Sequence, residues 1–257
     1  MHSVHFTAET SSNGVVERDF TVGEVPGVLW SPASGSDHAP LVLMGHGGGL
    51  HKKTPALAAR AHDTVTTWGF TVVAVDAPGH GDRPRTAQDE QARADLRQAM
   101  AAGDAERIKS ISVRYGAALA QRAVPEWQAT LDALQALPEI GTEAPIGYGG
   151  GISLGTAIGI PLTAIEPRIT AALFGGGFVV HQALIEAARR ITVPVQFLLP
   201  WDDENVDRQS ALALFDAFAS KEKTLHANPG DHRNIRWIGV DNAFLARHLG
   251  HVGASPA

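Results

Sequence analysis

From Val25 onward, short β-branched runs alternate with helically patterned segments, and this alternation restricts the fold more than any other feature of the chain. VPGVLW (25–30) reads as an early strand and PLVLMG (40–45) as a second, continuously apolar one. Continuous apolarity marks a strand covered on both faces, as in a sheet with helices on each side. Residues 54–68 then read as a helix, with Thr54 as cap, Pro55 in the first helical position and Gly69 at the end. Strands follow at 70–76, 146–149, 169–174, 193–199 and 223–226, and helices at 127–137, 153–165, 181–190, 208–220 and 241–249. Such spacing implies right-handed crossovers and a mostly parallel sheet.

At 257 residues, with 44% hydrophobic and 19% charged side chains, the chain is long enough for one α/β domain with a sizeable core. A formal charge of -6 without a basic stripe argues against nucleic acid as a partner. Each apolar run breaks well before the ~20 residues of a membrane helix, so no membrane partner is expected. The chain contains 0 cysteines, which excludes disulfides, thiolate metal sites and a cysteine nucleophile. MHSVHFTAETSSNG lacks the pattern of a secretory leader, and a cytoplasmic location is expected.

One segment departs from the rhythm. Between Pro84 and Val124 lies a polar stretch rich in Ala, Arg and Gln, with helical spacing at Leu96, Met100, Ile108, Ile111 and Tyr115. It leaves the carboxyl edge of the sheet, where open α/β folds bind ligands. The expectation is a lid-like insertion over the site, with a surface hairpin that only packs on the domain as the alternative.

The sharpest local motif is Gly151-Ile152-Ser153-Leu154-Gly155, placed after the strand-like PIGYGG and before the helical TAIGIPLTAIE. In a G-x-S-x-G turn the serine projects from a sharp strand-to-helix corner, and the following helix points its positive end at charge developing nearby. By itself the pattern also describes a glycine-rich turn with a helix-capping serine. Pro161, within the helix that follows, predicts a kink or an early break.

A serine hydroxyl needs a base, and the base needs an orienting acid. Both are supplied after later strands. VPVQFLL is followed by Pro200-Trp201-Asp202-Asp203-Glu204-Asn205-Val206, and KTLHA by Asn228-Pro229-Gly230-Asp231-His232. The order serine, acid, histidine is that of the hydrolase fold.

GISLGT, DAPGHGDR (76–83), MGHGGG (44–49) and the PGDH loop together resemble the α/β-hydrolase superfamily, nearest to small bacterial esterases and dienelactone-hydrolase-like members. The likeness runs from Pro26 over nearly all the rest of the chain and is least typical at 84–124. It implies an α/β-hydrolase fold, with a mostly parallel central sheet, helices on both faces and a small helical lid insertion, in a single domain. It also implies Ser153 as nucleophile, His232 as base and Asp203 as acid. Asp203 is preferred to Asp202 because the family places the acid a few residues before a valine. Dienelactone hydrolases use a cysteine nucleophile, which this chain lacks, so their substrate does not carry over. His46-Gly47-Gly48-Gly49 resembles the esterase oxyanion loop. Leu154 supplies one backbone donor of the implied oxyanion hole, with Gly48 as first choice and Gly49 as second for the other.

Other polar residues receive structural roles. Asp76, His80, Asp82 and Arg83 are expected to hydrogen-bond and shape a pocket wall, and His46 to fix its loop. His226 lies within the last strand rather than beyond it, and Trp201 is assigned to packing. The 12 histidines include no H-E-x-x-H, and neither a metal nor a nucleotide cofactor is expected. The expected activity is cofactor-free hydrolysis of a small carboxylic ester. Thioester cleavage, perhydrolysis, lyase chemistry and a non-catalytic binding role are the alternatives, and homo-oligomerisation stays open.

Overall fold

The computed structural model describes residues 3–35, 38–150, 153–204, 206–232, 235–241 and 243–250. Its chain begins with β1 (Val4–Ser12), β2 (Val15–Val22) and β3 (Val25–Pro32), joined as an antiparallel meander. No element was expected before Val25, so two strands are added to the sequence reading. The cause is local. Asn13 and Gly14 have φ of 49° and 78°, the left-handed pair that a two-residue hairpin turn requires.

The chain continues through β4 (Leu41–Met44), α1 (Pro55–Trp68), β5 (Thr71–Val75), α2 (Ala87–Ala102) and α3 (Ala105–Gln135). Then come β6 (Ile146–Tyr148), α4 (Leu154–Thr163), β7 (Ile169–Gly175), α5 (Gln182–Ala188), β8 (Val195–Pro200), α6 (Arg208–Ala217), β9 (Lys223–Asn228) and α7 (Phe244–Leu249). Among the described residues they form one sheet in the order β1-β2-β3-β5-β4-β6-β7-β8-β9. The first three strands and the β3–β5 pair are antiparallel, and every pair from β5 to β9 is parallel.

Period-two alternation divides the core. Leu41, Leu43, Val73 and Val75 pack with α3 and α4 on one face, whereas Val42, Met44, Val72 and Ala74 pack with α1 and α7 on the other. Helix α1 follows its sequence signals in part. Pro55 opens it, and Gly69 closes it at φ 70° with its N–H on the Val65 carbonyl. Thr54 occupies the cap position without a side-chain capping bond.

The inserted segment needs a correction. It was expected to end at Val124, with a separate helix from Trp127, but α3 runs without interruption from Ala105 to Gln135 through Pro125. An interior proline costs a helix about 3 kcal/mol. Leu119, Ala123, Trp127, Leu131 and Leu134 form one buried stripe across that position. Burial of each large side chain contributes about 1.5–3 kcal/mol, so the stripe outweighs the break. Pro161 is tolerated in the same way inside α4, which is buried along most of its length.

Candidate active site

The strand order places a crevice where two connections diverge. From β4 the chain crosses to β5 on one side, and from β6 it crosses to β7 on the other, so the carboxyl ends of β4 and β6 flank a topological switch point. Two of the predicted loops start there, the glycine loop after β4 and the serine turn after β6.

Ser153 stands between β6 and α4 with φ 63° and ψ -111°. Positive φ on a residue with a Cβ costs of order 1–3 kcal/mol and persists only where its surroundings enforce it. Here its N–H donates to the Gly176 carbonyl (3.2 Å), and its own carbonyl accepts from Ala157 (3.0 Å). Leu154 is the first residue of α4. Gly151 and Ile152 of the motif lie outside the described residues, as does Asn205 in the acid loop.

The glycine loop and the serine turn touch through their backbones. A Cβ on Gly45 would fall 2.6 Å from Gly155 Cα, so neither glycine can carry a side chain while the loops keep this spacing. Tyr148 Oη reinforces the contact by donating to the Gly155 carbonyl at 2.5 Å. Three residues along, a Cβ on Gly48 would lie 3.9 Å from Ser153 Oγ, whereas one on Gly49 (φ 76°) would meet nothing within 4 Å. Of these two glycines, Gly48 is the one whose Cβ direction faces the serine oxygen.

The loops expected to carry the acid and the base leave β8 and β9 at the same edge. They extend the strand pairing, because Trp201 N–H donates to the Asn228 carbonyl (2.8 Å) and Asp202 N–H to the Gly230 carbonyl (3.2 Å). Asp203 then turns inward. Its fully buried carboxylate meets His232 Nδ1 at 2.5 Å and accepts the His232 backbone N–H at 3.0 Å. Asp202 instead turns to the exposed side, where its Oδ2 accepts the Gly230 N–H at 3.1 Å. The ring of His232 therefore pairs with Asp203, and Asp202 braces the loop.

The polar loop after β5 does structural work. His46 Nε2 accepts the Ala77 N–H (3.0 Å), and its Nδ1 lies 2.8 Å from the Gly47 carbonyl, the pattern of a neutral ring that donates from Nδ1. Burial pushes this ring down to about 4, so it stays uncharged near neutrality. Arg83 grips Glu126 with both guanidinium nitrogens at 2.6 and 2.7 Å. Asp89 of α2 accepts from Thr86 in a reciprocal cap and pairs with Arg122 of α3 at 2.5 Å. The inserted helices are thereby bolted to each other and to the loop beside the site.

Sequence reasoning missed Lys52, whose ammonium is buried between Asp76 (2.7 Å) and Asp82 (2.6 Å). The signal was faint, since a lysine before a helix reads as surface. Trp201 also differs from its assigned packing role: it is 37% exposed, and the Arg208 guanidinium stacks 4.2 Å from its ring. His226 lies in β9, as expected. Among the described residues no group of three or more His, Asp or Glu is arranged to hold a metal ion. No described helix is long and apolar enough to cross a membrane.

Comparison with known proteins places this architecture in a class. A cold-adapted esterase from an Arctic intertidal metagenomic library is 33% identical, with a TM-score of 0.70 over 95% of this chain and 99% of that one. Acetyl xylan esterase 1 from Thermoanaerobacterium shares the fold at 16% identity and a TM-score of 0.67, covering 92% of this chain and 84% of the other. A dienelactone-hydrolase-like promiscuous phosphotriesterase from metagenomic libraries does so at 21% and 0.57, covering 92% and 95%. No protein-family model matches the sequence, and no curated protein matches it. The chain belongs to the α/β-hydrolase esterases.

Proposed function

We propose that this protein is a serine hydrolase that cleaves small carboxylic esters through an acyl-enzyme, without a cofactor. The observation that carries the proposal is the His232 ring held on the buried Asp203 carboxylate, at the sheet edge where Ser153 occupies its strained turn. In this reading Ser153 Oγ attacks the ester carbonyl while His232 Nε2 takes its proton. Asp203 holds the imidazole with Nδ1–H toward the carboxylate and stabilises the imidazolium that forms. The backbone N–H groups of Leu154 and Gly48 receive the oxyanion, with Gly49 in reserve. The tetrahedral intermediate collapses as the imidazolium protonates the departing alkoxide. Water, deprotonated by His232, then attacks the acyl-serine and releases the acid.

The α2–α3 hairpin flanks this site as a lid-like wall. Its fastening through Asp89–Arg122 and Arg83–Glu126 favours a fixed wall over a freely swinging flap, and a substrate of modest acyl size suits it. The test is hydrolysis of p-nitrophenyl esters and matching thioesters of increasing chain length by the parent and by Ser153→Ala. Short esters should lead the series, and the variant should stay folded while kcat falls by roughly four orders of magnitude. Near-parent turnover in the variant would overturn the assignment.

A further inference from the structure

We propose that Lys52 is a positioning residue for ester cleavage, holding the oxyanion loop in register through the buried carboxylate of Asp76. The proposal rests on the reading of Gly48 as an oxyanion donor. The start of the loop is secured by the Gly45–Gly155 contact and by the His46 ring on the Ala77 N–H. Gly48, Gly49 and Leu50 are then exposed, so little packing holds the middle. The chain is caught again at Lys52. Its backbone N–H donates to Asp76 Oδ1 at 2.8 Å, and its ammonium donates to Asp76 Oδ2 at 2.7 Å. One carboxylate thus grips both the backbone and the side chain of a residue four positions beyond Gly48.

Asp76 is itself held from several sides. It is fully buried, its N–H bonds the Pro26 carbonyl (3.1 Å), and its Oδ2 also accepts the Asp82 N–H (3.1 Å). The chain wraps so tightly that a Cβ on Gly81, at φ 55°, would fall 2.2 Å from the carboxyl group. Without the ammonium, this interior carboxylate would lack its main compensating charge. The backbone bond from Lys52 N–H is what couples this carboxylate to the course of the loop. The geometry ties the far end of the loop to the end of β5, and so sets where Gly48 N–H stands relative to Ser153. A misplacement of about 1 Å in a catalytic group can cost roughly a hundredfold in rate.

The experiment compares the parent with Lys52→Gln, with the neutral pair Lys52→Met/Asp76→Asn, and with Lys52→Arg. Readouts are kcat and KM on p-nitrophenyl acetate, affinity for phenylboronic acid (which forms a tetrahedral adduct on a serine) and thermal unfolding. Folded Lys52→Gln, and the double variant if it folds, should lose about 10–100-fold in kcat, with KM changed less than about threefold and boronate affinity reduced in parallel with kcat. Lys52→Arg should recover most of that loss. Parent-like kcat and boronate affinity in folded Lys52→Gln, even with a lowered Tm, would overturn the proposal and leave a purely stabilising pair. Ser153→Ala is measured alongside. Its inactivity keeps the site reading intact whatever Lys52 does, whereas its retained activity would refute that reading itself.

Discussion

Asp203 holds His232 twice through one oxygen: Oδ2 takes the ring Nδ1 at 2.5 Å and the backbone N–H of the same residue at 3.0 Å. His232 is thereby fixed in position and in ring orientation by a carboxylate with no exposed surface. Asp203→Asn should reverse the preferred tautomer and lower kcat by about 10³–10⁴ while leaving the fold in place. Asp202→Asn should change kcat less than about threefold, because among the described residues Asp202 accepts the Gly230 N–H and does not meet the His232 ring. Steady-state kinetics on a short ester checks both, and a crippled Asp202→Asn beside an active Asp203→Asn would move the acid by one residue.

The contact between Gly45 and Gly155 allows a prediction about packing. Gly45→Ala would bring a methyl within 2.6 Å of Gly155 Cα and 2.7 Å of Tyr148 Oη, two neighbours that cannot turn aside. Overpacking of this kind costs about 1–3 kcal/mol, so Tm should fall by roughly 2–12 °C. Activity measured well below that Tm should fall too, because the glycine loop must shift. Gly49→Ala has open space instead, and its penalty comes only from its positive φ.

His46 makes the fold sensitive to acid. Burial holds its ring at about 4 in the folded protein, below the ordinary value near 6.5. The unfolded chain therefore binds the extra proton first as pH drops. The resulting stability is complete above about pH 6.5 and is lost as pH falls from there through 4, amounting to about 3 kcal/mol. Asp89 acts in a lower window. Burial opposes its charge, but Arg122 and Thr86 outweigh that effect and bring it to about 2, so its contribution is lost as pH falls from about 4 to 2. Urea unfolding between pH 7 and 4 should show an average slope smaller by about 1 kcal/mol per pH unit in His46→Gln than in the parent. Equal slopes would remove His46 from the account.

Arg122→Ala tests how the hairpin is fastened. Asp89 has a side chain only 2% exposed and would keep its Thr86 bonds but lose its cation. Arg122 is 37% exposed, which tempers the loss to about 2 kcal/mol. Limited proteolysis should cut the variant between residues 84 and 104 faster than the parent. Unchanged cleavage would show that apolar packing alone holds the helices.

Much of this architecture could be read from residue order. The parallel half of the sheet followed from VPVQFLL, PLVLMG and their intervening helices, because continuous apolarity has few other uses in a soluble fold. The first two strands went unread although Asn13-Gly14 is a strong hairpin signal, since their alternation is masked by polar residues on an exposed edge strand. The separation of the 84–124 insertion from a helix at 127–137 did not hold, and the buried stripe on both sides of Pro125 explains the continuous α3. The choice between Asp202 and Asp203 rested on a spacing, while the coordinates separate them by burial and by the partner each meets. Lys52 was illegible because its partner Asp76 lies 24 residues away, a distance closed only by the sheet.

The most direct measurement is covalent capture of the nucleophile. The protein is incubated with a p-nitrophenyl organophosphonate, and its intact mass and peptide map are recorded beside those of Ser153→Ala. The account predicts a single adduct, located on Ser153, with loss of esterase activity in proportion to labelling and no adduct on the variant. An unlabelled parent, or equal labelling of parent and variant at another residue, would contradict it.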